Sequence, residues 1–203
     1  MSPGQAKLDA SSIEAAYKKY KDGNSDMILA DGVFRLCEDL AVDPGDVAML
    51  VLAWHCRAAA MCEFSRAELT AGFSALGVDS VAKLAAKLPA LRASLADEAT
   101  FRAVYAFTFA FARDKGAKNL PADTALALWQ LLLPQRWGLG AQFCEFVPSM
   151  APKVITADTW AQLGEFMRNV SPDMSNYDPN GAWPSLIDDF AESIIAKAPA
   201  ASQ

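Results

Sequence analysis

Apolar residues recur at helical spacing along almost the whole chain. Ile13, Ala16, Tyr17 and Tyr20 share one face behind Ser11 and Glu14, whose spacing is that of a capping box, while Lys18, Lys19 and Lys21 face solvent. Val33 to Leu40 reads as a short apolar helix. Asp43, Pro44 and Asp46 then start a helix that runs to Cys56, because Asp caps and Pro suits the first helical position. This helix carries Val47, Leu50, Val51 and Trp54 on one side and Met49, Leu52, Ala53 and Cys56 on the other. A helix apolar nearly all round is buried, or one of its faces walls a groove.

Ser65 with Glu68 caps a further helix, which Gly77 ends. Ser80 to Leu95 is amphipathic, and Pro89 is expected to kink or split it. Thr100 to Ala112 is rich in rings (Phe101, Tyr105, Phe107, Phe109 and Phe111), which core packing explains by default. The polar run 113–119 reads as a solvated loop near a mid-chain boundary. Pro121 to Leu133 is a strongly apolar helix, Gly140 to Phe146 another that Pro148 should stop, and Thr156 caps a third over 157–170. Pro172, Asp178, Pro179, Asn180 and Gly181 then mark a turn-rich loop. From Trp183 onward Leu186, Ile187, Phe190 and Ile194 form a last apolar stripe. No alternating strand pattern and no internal repeat stands out. The expectation is an all-α protein, helical throughout 12–196, with flexible tails at 1–10 and 197–203.

Composition narrows the function. The 203 residues suit one large domain or two small ones, and 53% hydrophobic with 21% charged residues is ordinary for a globular chain. A net charge of −6 makes nucleic acid and anionic membrane poor partners and a basic protein surface a good one. Cys37, Cys56, Cys62 and Cys144 form no CxxC pair and read as free thiols of a reducing compartment. The first residues lack a signal-peptide core, and Ser2 after the initiator Met excludes N-myristoylation. A cytoplasmic or nuclear location is therefore expected.

Asp22, Asn24 and Asp26 stand at positions one, three and five of a calcium-loop pattern. Met27 replaces the glycine at position six and Val33 the bidentate glutamate at position twelve, so no metal is expected there. His55, the only histidine, has Cys56 beside it and Cys62 seven residues on, but neither thiol has the electropositive setting of a nucleophile. No zinc spacing, phosphate loop or nucleophile elbow is present, so neither a catalytic residue nor a cofactor is expected. Between Arg168 and Lys197 there is no basic residue, whereas Asp173, Asp178, Asp188, Asp189 and Glu192 are all acidic. The last helix should dock by its apolar side and offer an uncompensated acidic side to solvent or to a partner.

The runs Asp-Met-Ser-Asn-Tyr-Asp (173–178), Gly-Ala-Trp-Pro (181–184) and Leu-Ile-Asp-Asp-Phe (186–190) resemble the C-terminal signature of the PONY domain of the defective in cullin neddylation family. Ala-Trp (53–54), Arg-Ala-Ala (57–59), Cys-Glu-Phe-Ser (62–65) and Phe-Thr-Phe-x-Phe-Ala (107–112) resemble its other motifs, in the same order. The resemblance implies two degenerate EF-hand-like helix–loop–helix units followed by a C-terminal helical bundle. The PONY domain would cover 11–196, with an EF-hand-like half over about 11–113 and a C-terminal half over about 120–196. No ubiquitin-binding domain is expected ahead of it within this chain.

What the family implies is a scaffold-type ligase component without an active site of its own. It would bind the cullin C-terminal winged-helix region and the acetylated N-terminus of the neddylation conjugating enzyme, beside the cullin RING subunit. The family's cullin patch falls on Asp158, Ala182 and Asp188. Helix geometry alone does not choose Asp188 over Asp189, and a charge at a helix terminus is the ordinary role of Asp158. The family's pocket for the conjugating enzyme falls on Val33, Met49, Leu52, Ala53, Cys56, Cys62, Phe64, Phe111 and Leu131. Cys56 stands where better-known members carry an aromatic and Met61 where they carry a polar residue, so the pocket's shape is expected to differ. The alternative from another class is an EF-hand-derived calcium-binding adaptor.

Overall fold

The computed structural model describes residues 8–197. They form ten helices and four strands of two residues each, so the chain is predominantly helical. No helix among the described residues is long and apolar enough to cross a membrane. The chain divides into two compact units between Phe111 and Ala112. The tails at 1–7 and 198–203 lie outside the described residues.

The first unit holds α1 (Ala10–Tyr20), β1 (Met27–Ile28), α2 (Ala30–Leu40), α3 (Val47–Cys56), β2 (Phe64–Ser65), α4 (Arg66–Leu76), α5 (Val81–Ser94) and nearly all of α6 (Glu98–Ala112). β1 pairs antiparallel with β2, Met27 opposite Ser65 and Ile28 opposite Phe64, and so joins the loop of the α1–α2 pair to that of α3–α4. α3 packs on α4 and α5, and α4 on α1. Tyr17, Tyr20, Ile28, Leu36, Leu52, Leu69, Phe73 and Leu84 are almost wholly buried in this core.

The second unit holds β3 (Leu120–Pro121), α7 (Ala122–Leu132), α8 (Gly140–Met150), β4 (Val154–Ile155), α9 (Ala157–Asn169) and α10 (Ser185–Lys197). β3 pairs antiparallel with β4, Leu120 opposite Ile155. α10 packs on α8 and α9. Its core is aromatic: Trp129 lies edge-on to Phe143 (5.2 Å), and Phe143 and Trp137 both meet Phe190 edge-on (5.1 and 5.7 Å). Edge-to-face rings at these distances add to the burial of their area.

Several helix ends differ from the sequence expectation, each for a physical reason. α1 is capped by Asp9, whose carboxylate accepts from Ser11 N, so the Ser11–Glu14 capping box is not formed. Asp43 accepts from Gly45 N in a turn ahead of α3, and Asp46 is the cap, accepting from Ala48 N at 2.8 Å. The Arg92 fork also grips Asp46 (Nη2–Oδ2 2.6 Å), tying α5 to the start of α3 and holding that carboxyl below its usual range. Pro89 does not split α5 and Pro148 does not stop α8. Both prolines sit on the exposed side of their helices, while Leu84, Leu88 and Leu91 anchor α5 on either side of Pro89. The two-residue strands interrupt the helical reading of 12–196, being too short to leave an alternating pattern. Elsewhere local chemistry governs as expected: Ser65 and Glu68 form a capping box, Gly77 ends α4 at φ 66°, and Thr156 caps α9.

The α3–α4 crossing is tight. A Cβ on Gly72 would stand 2.2 Å from Cys56 Sγ and 3.1 Å from its Cα. Gly72→Ala is therefore expected to destabilise the protein by about 1–3 kcal/mol through overpacking. In a Cys56→Ala background that cost should shrink, because the sulfur is gone. Urea denaturation of the two single variants and the double variant measures it, and equal costs in both backgrounds would contradict this packing.

Candidate functional site

The loop between α9 and α10, residues 170–184, is built by short polar side chains closing turns on their own backbone. Asn176 ends α9, its Oδ1 accepting from Ser171 N and its Nδ2 donating to Asn169 O, both at 2.7 Å. Asp173 accepts from Ser175 N and Oγ, and Asp178 accepts from Asn180 N. These two acids are therefore turn formers. Met174 takes the left-handed conformation (φ 58°) and buries its side chain. Gly181 admits the Trp183 ring, since a Cβ there would lie 3.1 Å from the indole.

Three rings fix where the loop sits. Phe166 of α9, 1% exposed, is met edge-on by Trp183 at 5.4 Å and by Tyr177 at 6.3 Å. Trp183 follows Ala182, which is exposed. Tyr177 Oη donates to Asp188 Oδ1 at 2.7 Å. Burial and then the Asp188 carboxylate push the Tyr177 phenol up, so it remains protonated and a donor across the neutral range. Asp188 and Asp189 are both half-buried, yet only Asp188 accepts this bond. Phe166 thus carries Ala182 through one neighbour and Asp188 through the other. Asp158 is exposed in the first turn of the same helix, about 12 Å along the axis from Phe166. Among the described residues no cation pairs with Asp158, Asp188, Asp189 or Glu192. The face offers carboxylates and one small side chain, which suits Lys or Arg from a closely approaching partner.

A profile of the family described as cullin binding matches residues 83–193. Over 185 residues the chain is 38% identical to DCN1-like protein 3 of Xenopus laevis, covering 89% of this chain and 61% of that protein. DCN1-like protein 4 of Drosophila melanogaster is 41% identical over 162 residues, 80% of this chain and 65% of that protein. DCN1-like protein 5 of Homo sapiens is 38% identical over 170 residues, 84% of this chain and 72% of that protein. This chain belongs to the cullin-binding family. It spans less than two thirds of the first two relatives' lengths.

The positions resembling the family's second site fall mostly in the first unit. Met49, Leu52, Ala53 and Cys56 make one stripe along α3, each no more than 8% exposed. Phe64 is buried in β2, Phe111 is buried and stacked on Phe107 (5.0 Å), Val33 of α2 is half-buried and Cys62 is exposed at φ 59°. Cys56 turns its sulfur to Gly72 of α4. Leu131 is half-buried on α7 of the second unit. Burial pushes the Cys56 thiol up to about 12, which is the opposite of what a nucleophile beside His55 requires.

In the loop with the calcium-like spacing, protein cations already engage the carboxylates. Asp26 accepts from Tyr17 Oη (3.2 Å) and Arg66 Nη2 (3.5 Å), with Lys21 Nζ 3.8 Å away. Lys21 also donates to Ser25 O, and Asp22 accepts from Asn24 N. Among the described residues no group of three or more His, Cys, Asp or Glu could hold a metal ion.

Of the residues that shape the acidic face, Asn176, Tyr177 and Trp183 entered the sequence analysis as members of the family-like runs, and Phe166 was not singled out. The local signal for their packing was two aromatics, Tyr177 and Trp183, in a loop rich in turn formers behind the helical Phe166. Tyr17, Tyr20 and Tyr177 each have a phenol raised first by burial and then by a carboxylate partner. A raised folded value means the folded state holds the proton more tightly. The resulting stability is complete below about pH 10, the unfolded value, and is lost as pH rises through the folded values. Urea midpoints should therefore fall from about pH 10 upward, and Tyr177→Phe should make that fall shallower. An equally steep fall in Tyr177→Phe would contradict the Tyr177–Asp188 bond.

Proposed function

We propose that the chain is a non-catalytic scaffold for cullin neddylation. It binds the C-terminal winged-helix region of a cullin through Asp158, Ala182 and Asp188, beside the cullin RING subunit. It binds the N-terminus of the neddylation conjugating enzyme through the apolar stripe of the first unit, in the cytoplasm or nucleus. Holding both partners raises their effective concentration and removes orientational freedom before the modifier moves to the cullin lysine. The scaffold itself makes no bond. The observation that carries the cullin half of this reading is the Tyr177–Asp188 hydrogen bond beside exposed Ala182, on a face whose acids lack cationic partners. Membership of the cullin-binding family supports the choice of partner. The helix–loop–helix pairs α1–α2 and α3–α4, joined by a two-residue bridge, support an EF-hand-like origin with the metal's place taken by Arg66 and Lys21.

Two measurements test the two sites. Asp158→Ala, Ala182→Arg and Asp188→Ala together should abolish binding of a cullin C-terminal fragment in calorimetry. Losing a close interfacial charge pair costs about 2–5 kcal/mol, against about 8 kcal/mol for micromolar affinity. Helical circular dichroism should be retained, and stability should drop only by the roughly 1 kcal/mol of one hydrogen bond. Undiminished binding would remove the patch from the function. For the stripe, an acetylated N-terminal peptide of the conjugating enzyme should bind more tightly than its free-amine form, because a bare ammonium must lose hydration among residues that include no acid. Added salt should weaken it little. Equal affinities would show that the stripe serves another purpose.

A further inference from the structure

A cavity of about 720 Å³ opens in the first unit, lined by Trp54, His55 and Arg57 from α3 and its end, Ala71 and Ala75 of α4, and Phe107 of α6. It lies on the Trp54 side of α3, whereas the Met49–Cys56 stripe runs along the other side. Its walls are two half-buried aromatic rings, its outer edge is two exposed methyl groups, and its polar groups are one imidazole and one guanidinium. The volume exceeds any single side chain and falls within the roughly 300–1,000 Å³ typical of ligand sites.

Charge gives the cavity a direction. Arg57 is exposed and pairs with no acid among the described residues. No acid lines the cavity. The carboxylate of Glu68, one turn before Ala71, is already taken by Ala59 N at 2.8 Å and Ser65 N at 2.6 Å. His55 rests against the Trp54 ring at 4.6 Å, and burial lowers its pKa, so near neutral pH it offers one donor and one acceptor. In a chain of net charge −6 this is a local cationic spot beside an aromatic hollow. Beside it α4 exposes Ala67, Thr70, Ala71, Ser74 and Ala75, all small and neutral. The charges at the start of the helix, Arg66 and Glu68, are already engaged, the first by Glu14 and Asp26 and the second by the Ala59 and Ser65 amides. Solvated helix faces normally carry charges, and a small neutral face lets another backbone approach closely.

We propose that this cavity binds a short acidic peptide segment that carries a large apolar side chain. The apolar side chain enters between Trp54 and Phe107, an adjacent carboxylate meets the Arg57 fork, and the peptide backbone runs along the alanine face of α4. The neutral length of α4 beyond the mouth favours a peptide over a free small carboxylate, which would have no use for it. This ligand is opposite in charge to one that the acidic face of the second unit would take, so the inference does not rest on the cullin reading.

The test uses the full chain and a fluorescein-labelled probe, acetyl-Glu-Asp-Phe-Leu-Asp-Glu amide, followed by anisotropy. Saturable binding is expected, weakening with added salt. Arg57→Asn removes the charge with a side chain that tolerates the left-handed conformation Arg57 occupies (φ 54°). Ala71→Leu fills the mouth from an exposed position. Each should weaken the probe at least tenfold with an unchanged melting temperature, and Asp188→Ala should leave it unaffected. Control peptides with Lys for the acids, or Ser for Phe and Leu, should not bind. Absence of saturable binding, or binding that survives both cavity substitutions, would overturn the proposal. So would occupancy by indole-3-acetate without any by the peptide.

Discussion

Edge-on packing of Trp183 and Tyr177 against Phe166 is the contact on which the acidic face depends. The loop between α9 and α10 has no regular structure, and its turns are closed by side chains of its own. Such a loop gains a fixed position only by burying something against a rigid element. Here it buries two rings against a ring of α9, and through Trp137 that ring joins the cluster with Phe143 and Phe190. Asp188 is held from the loop side by Tyr177 and from the core side by Ile187 and Phe190 of its own helix. A carboxylate so held loses less side-chain freedom on meeting a cation than a mobile one would.

The two units solve different problems. In the second, aromatic packing lets unpaired carboxylates stand on the surface. In the first, charges are mostly spent inside: Arg66 bridges Glu14 and Asp26, Lys19 and Tyr20 share Asp39, and Arg92 clasps Asp46. Pairs this exposed contribute little each. Their structural effect is to tie α1 to α4 and α5 to α3. Arg57, at the end of α3, is among the cations left without an acid.

Much of this was legible in the sequence wherever a single residue decides a helix end. Ser65 with Glu68, Gly77 and Thr156 act as their types require, and the stripes from Ile13 to Phe190 turned inward as spaced. Reading failed where tertiary contacts outvote local preference. Pro89 and Pro148 stay in helices because leucine or aromatic packing holds the flanks, and Asp9 displaces Ser11 as a cap through its own hydrogen bonds with Ser11 and Ser12. The two-residue strands are set by partners 36 residues or so distant in the chain, far beyond any local pattern. Asp188 could be preferred over Asp189 only by family resemblance, since the discriminating group, Tyr177, lies eleven residues earlier on another segment.

The most direct test of the acidic face is a double-mutant cycle on binding of a cullin C-terminal fragment, using Tyr177→Phe, Asp188→Asn and the double variant. If Tyr177 acts by holding Asp188, Tyr177→Phe should weaken binding in the wild-type background and have almost no effect once Asp188 is replaced. The coupling should be about 0.5–3 kcal/mol, the range for groups in direct contact. Strictly additive losses, or a cullin affinity indifferent to both substitutions, would contradict it.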